Sequence, residues 1–185
     1  MFHKLLQIGQ DNYDFKKLAL KDLDKSCCST QECEVIDFDK VKEKCVKKHS
    51  LNSIASCDAI RICSEQMSID FVEMKGFKEY KRYNISADTT QIKSQIDKFD
   101  FKKKIEDSLY ILQTIIRSGA FNASSNERDS FEKSSKRYFI VTDIDVKTDA
   151  LKTFDLTMNF LATTSSIDKT IKAVSYTHLR AHETV

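Results

Sequence analysis

Two short apolar runs flanking a four-residue break constrain this chain more than any other feature: Ser56–Cys63, the break Ser64–Met67, and Ser68–Gly76. Branched and aromatic residues, partly alternating with polar ones, predict two strands, and the break is short enough for a hairpin. A symmetric loop of two or four residues sets Cys63 opposite Ser68, Ile62 opposite Ile69, Ile60 opposite Phe71 and Asp58 opposite Glu73. On the other face it pairs Arg61 with Asp70, Ala59 with Val72 and Cys57 with Met74.

Directly opposed side chains share a face with Cβ atoms only about 5 Å apart. Arg61 therefore meets an opposite charge, whereas Asp58 meets a like one. Two opposed carboxylates repel unless one is protonated or a cation sits between them. A hard ion such as Mg²⁺ takes oxygen ligands, often one or two carboxylates, and keeps waters that can attack a phosphate. Lys75 projects from the same face one pleat beyond Glu73, where a cationic side chain could activate that water or neutralise charge developing on the phosphate. Ile60, Ile62, Ile69 and Phe71 make that face apolar up to its acidic edge, which speaks against a hairpin whose charges simply face water.

An acidic residue on one strand followed by Glu73-Met74-Lys75 on the next resembles the core motif of the PD-(D/E)xK nuclease superfamily, the restriction-endonuclease-like fold. The likeness spans roughly residues 30 to 145 by order of elements and rests on Asp58, Glu73 and Lys75 by identity. It implies that Asp58 and Glu73 bind the metal, that the Met74 carbonyl completes its shell and that Lys75 is the catalytic lysine. It also implies Mg²⁺ or Mn²⁺ as cofactor and nucleic acid as partner. Cys57 stands where the family pattern has proline. In that family a helix before the hairpin sometimes adds an acidic ligand, and Glu32, Glu34 and Glu43 lie in the corresponding stretch. A second Glu-x-Lys, Glu79-Tyr80-Lys81, has neither a preceding apolar strand nor an aspartate in register.

The C-terminal stretch from Val174 to Thr184 resembles a translated sequencing adaptor, so fold reasoning is confined to residues 1–173, read as one domain. A site built on His178 or His182 would belong to that tail. The formal net charge is +2, and Arg180 and Glu183 cancel within the tail, so any basic surface must be local. No apolar stretch approaches the length of about 18 residues that a membrane helix needs, and Met1-Phe2-His3-Lys4 does not begin an export signal. A soluble cytoplasmic protein is expected. Six cysteines then read as free thiols or metal ligands before disulfides. Cys28, Cys33, Cys45 and His49 approach a zinc spacing, but Val35, Ile36, Phe38 and Val41 between them look like ordinary core.

Elsewhere, residues 12–26 predict a helix on Phe15, Leu18 and Leu23. Val35-Ile36 and Phe38 predict a short strand or a helix start. Asp88 to Arg117 predicts the longest helix, with a capping box at Asp88 and Gln91, a stripe through Ile105, Leu109, Leu112 and Ile116, and a stop at Gly119. Lys93, Lys98, Lys102, Lys103 and Lys104 stud its first half, with Lys78, Lys81 and Arg82 before it. Beside a nuclease site Lys78, Lys81, Lys98 and Lys102 would contact phosphates; on a free surface they would simply solubilise. Gln91 and Gln95 could face the same site. Residues 121–136, rich in Ser and Asn, predict a loop. Arg137 to Asp145 predicts a strand covered on both faces, with Asp143 and Asp145 at its turn, and Asp149 to Thr163 a closing helix.

Helix, hairpin, long helix, strand, helix is an α/β order: a small mixed sheet, its central hairpin carrying the acidic motif, flanked by helices. Three functions compete on this frame. One is a metal-dependent nuclease acting on DNA or RNA. Another is a non-catalytic relative of the same fold that binds nucleic acid or protein. The last is a zinc-stabilised regulator.

Overall fold

A computed structural model describes residues 1–23, 33–75, 98–142 and 171–176, with backbone alone at 75, 140, 142 and 171–176. The described elements are α1 (Phe2–Tyr13), β1 (Lys17–Ala19), a 3-10 turn (Leu20–Asp22), β2 (Glu34–Asp37), α2 (Phe38–His49), β3 (Ala59–Cys63), β4 (Ser68–Lys75), α3 (Phe101–Arg117), α4 (Ser125–Lys133), β5 (Ser135–Thr142) and β6 (Ile171–Tyr176). The six strands form one sheet in sequential order. β1 to β4 are antiparallel neighbours, while β5 runs parallel to β4 and β6 parallel to β5. A parallel step needs a crossover, and α3 and α4 lie within the one that joins β4 to β5. The mixed α/β domain expected from the element order is the one observed.

The hairpin pairs as its alternation requires: Ala59 with Val72, Ile60 with Phe71, Arg61 with Asp70, Ile62 with Ile69 and Cys63 with Ser68. Side chains of a strand alternate between faces. Ile36, Ile60, Ile69, Phe71 and Tyr138 therefore share one face and meet Leu5 and Tyr13 of α1, Phe38 and Val41 of α2, and Phe101, Ile105 and Leu112 of α3. The opposite face carries the second cluster, formed by Leu20, Val35, Ala59, Val72, Met74 and Val141. β5 contributes to both, as expected for a strand covered on each side.

Several expectations are corrected. The first helix is α1, not residues 12–26: its buried stripe is Phe2, Leu5, Gly9 and Tyr13, and Asp14 ends it in the left-handed conformation at φ 61°. Phe15 then folds back onto Gly9, its N–H donating to the Gly9 carbonyl at 3.2 Å. Residues 88–97 lie outside the described part, but no single helix runs through to Arg117. Asp100 is left-handed at φ 48°, and α3 begins only at Phe101. The Ser/Asn-rich stretch is not all loop. Ser124 and Glu127 form a reciprocal capping box that starts α4, because side chains satisfying the free N–H groups of a first turn make polar residues good helix starters.

Arg61 lies opposite Asp70 as expected, but the ion pair of that aspartate is made with another residue. Asp70 accepts a fork from Arg137 of β5, at 2.6 Å from Nε and 2.9 Å from Nη2. The planar guanidinium beside it in the sheet matches both carboxylate oxygens, whereas Arg61 stays exposed. The zinc set also separates. Cys33 packs against the second cluster and Cys45 lies in the first, so the sheet stands between them. His49 is engaged by the Tyr13 hydroxyl at 2.9 Å, and Cys28 lies outside the described residues. The closing helix, Asp143 and Asp145 are outside them too. β6 takes in Val174, Ser175 and Tyr176 of the adaptor-like stretch; an edge strand joins through main-chain groups that most sequences supply.

Candidate functional site

Ladder pairing between β3 and β4 ends at Ala59, and Asp58 continues the hairpin with its side chain. The Met74 N–H donates to Asp58 Oδ2 at 2.6 Å, so a carboxylate supplies the acceptor beyond the last rung. The Asp58 carbonyl turns the other way and accepts from the Phe38 N–H at 3.0 Å, at the start of α2. Asp58 is thereby fixed between β4 and the β2–α2 junction.

The segment leading into Asp58 is laced to α3. The Ala55 N–H donates to Asp107 Oδ2 at 2.8 Å, the Cys57 N–H donates to Ser108 Oγ at 2.9 Å, and Lys103 Nζ reaches the Ser53 carbonyl at 3.0 Å. Ser108 in turn donates to the Lys104 carbonyl at 2.6 Å. From the α2 side, the Ser56 hydroxyl donates to Asp39 Oδ1 at 2.6 Å.

Glu73 is wholly buried, and Lys104 Nζ of α3 pairs with its Oε1. Residues four apart on a helix lie on one face. Lys104 and Ser108 use that relation to grip the carboxylate of β4 and the approach to β3 at once. A buried charge is costly unless paired, and here the counter-charge comes from a helix that the hairpin does not predict.

Both carboxylates act on the same two neighbours. Burial first, then the negative charges of Glu73 and Asp58, push the Cys57 thiol far above its ordinary value, with Ser108 opposing. Burial and then Glu73, Cys57 and Asp58 likewise raise the Tyr138 phenol. Tyr138 is fully buried on the face that carries Phe71, packed edge-on against Phe101 at 6.2 Å. Among the described residues its hydroxyl has no hydrogen-bond partner. Sequence reasoning passed over Tyr138, since one aromatic in an apolar strand gives no local signal of its neighbours.

Of the residues singled out in the sequence, Asp58, Glu73 and Met74 come together, and Lys75 ends β4 beside Thr142 of β5. Lys98 and Lys102 are exposed, and Lys102 faces Glu106 one turn on at 4.0 Å. Lys103 pairs with Asp107 and Lys104 with Glu73, so these two lysines carry local counter-charges. Lys78, Lys81, Gln91 and Gln95 lie outside the described residues, as does Glu32. Glu34 pairs with Lys17 at 2.6 Å on the edge of the sheet, while Glu43 stays exposed on α2.

Among the described residues no group of three acidic, thiol or imidazole side chains gathers to hold a metal. The oxygen donors beside Met74 are the carboxylates of Asp58 and Glu73. Such an oxygen set suits Mg²⁺ or Mn²⁺ and not a sulfur-seeking ion. None of the described helices is long and apolar enough to cross a membrane. The chain matches no family model, no curated protein and no solved structure.

Proposed function

We propose that this chain is a metal-dependent nuclease that hydrolyses phosphodiester bonds of DNA or RNA. The observation that carries the reading is the buried Glu73 carboxylate at the same end of the hairpin as Asp58, whose own carboxylate binds the next N–H of β4. Asp58, Glu73 and the Met74 carbonyl would hold Mg²⁺ or Mn²⁺. When bound, such an ion lowers the pKa of its water and offsets charge on the phosphate. Lys75 would orient the attacking water, and Lys98 and Lys102, with Lys78 and Lys81, would contact the substrate backbone. The test is Mg²⁺-dependent nicking of single-stranded DNA, duplex DNA and RNA. Asp58→Ala and Lys75→Ala should abolish cleavage in folded protein, and unaltered cleavage in both variants excludes the reading.

A second reading draws on Lys104. An ammonium already paired with Glu73 does part of what a metal ion would do, as in a non-catalytic relative that binds nucleic acid or protein. A metal titration separates the two. Salt-sensitive nucleic-acid binding without stabilisation by Mg²⁺ or Mn²⁺ supports the binding module. Metal-induced stabilisation lost in Asp58→Asn supports the nuclease.

A further inference from the structure

The phenol of Tyr138 is out of place as a packing group. Its ring fills the space between β5 and Phe101, and a phenylalanine ring would fill that space equally well. The hydroxyl adds a polar atom in a fully buried position where no described group bonds to it. Leaving such a group unsatisfied opposes folding. The register points to what it meets: Tyr138 lies beside Phe71, and two residues further along β4 on the same face is Glu73. Burial first, and then the negative charge of Glu73, hold the phenol above its ordinary value.

We propose that Tyr138 is a positioning residue of the Asp58–Glu73 site, its hydroxyl placed to hydrogen-bond a water in the shell of a divalent cation held by those carboxylates. The inference rests on the metal-dependent reading above. Groups that orient the outer shell of a metal site change its affinity by roughly tenfold or more when removed. Phe101 of α3 packs edge-on against the Tyr138 ring, and Glu73 shares the sheet face of Tyr138 one pleat further along β4.

The experiment is a calorimetric Mn²⁺ titration of the wild type, Tyr138→Phe and Asp58→Asn, with the fold checked by circular dichroism. Asp58→Asn should abolish binding and Tyr138→Phe should weaken it about tenfold. Loss in Asp58→Asn with unchanged affinity in Tyr138→Phe overturns the role of Tyr138 and leaves the metal reading intact. No binding by the wild type overturns both. A second readout does not depend on the phenylalanine variant folding. With 3-fluorotyrosine at position 138, the fluorine resonance should shift on adding Mg²⁺, and an unmoved resonance at saturating Mg²⁺ overturns the inference.

Discussion

The Lys104 ammonium on α3 is paired with the Glu73 carboxylate on β4, and Glu73 has no exposed side-chain surface while Lys104 keeps 22% of its own. This contact ties the longest described helix to the strand that carries the acidic motif. Removing one partner of a buried pair is far more damaging than replacing both. Lys104→Met should lower unfolding free energy by about 2–4 kcal/mol, the lower end reflecting the part-exposed ammonium. The double change Lys104→Met with Glu73→Gln should recover part of the loss. Urea unfolding of the four proteins in the cycle measures the coupling; strictly additive losses would contradict it.

Gly9 lies inside α1, where alanine normally gains up to about 1 kcal/mol over glycine. Here the sign should reverse. A Cβ at position 9 would overlap the Phe15 ring, which is buried and folded back over the helix. Gly9→Ala should destabilise by about 1–3 kcal/mol, as overpacking does. A raised melting temperature would refute this packing.

Glu127 closes the capping box of α4 and also meets Lys4 at 3.1 Å. The Ser124 N–H first, then the Lys4 ammonium, hold its carboxyl down at about 2. A depressed folded value means stability that is complete above the ordinary carboxylate range and is lost as pH falls toward about 2. Glu127→Gln keeps the capping geometry but removes the titration. Urea midpoints measured from pH 5 down to pH 2 should fall more steeply for the wild type than for Glu127→Gln, and parallel curves would count against the linkage.

Cys45 and Cys57 are buried, and burial raises both thiols, Cys45 to about 11 and Cys57 higher still. The thiolate is the reactive form. Both should resist a thiol reagent at pH 8 in the native protein and react once it is unfolded in urea. Peptide mapping of the labelled sites checks this; rapid native labelling of Cys57 would mean that the β3–α3 junction opens readily.

Much of the hairpin was legible because its information is local. Alternation with period two and a symmetric four-residue turn allow few registers, and the pairs from Ala59–Val72 to Cys63–Ser68 follow. The start of α4 was equally local, carried by Ser124 and Glu127, yet the Ser and Asn content read as loop. The left-handed Asp14 and Asp100 left no such trace, and with them went the true bounds of α1 and α3.

From the sequence alone came the placement of Asp58 and Glu73 at one end of one hairpin, since strand geometry permits little else. Tertiary structure decided what surrounds them. Lys104 lies 31 residues from Glu73 and Ser108 lies 51 from Cys57, distances over which no periodic pattern reaches. Which of the charged or hydroxyl-bearing residues of a helix faces an acid depends on how that helix is rotated on the sheet. Apolar packing of Phe101, Ile105 and Leu112 sets that rotation.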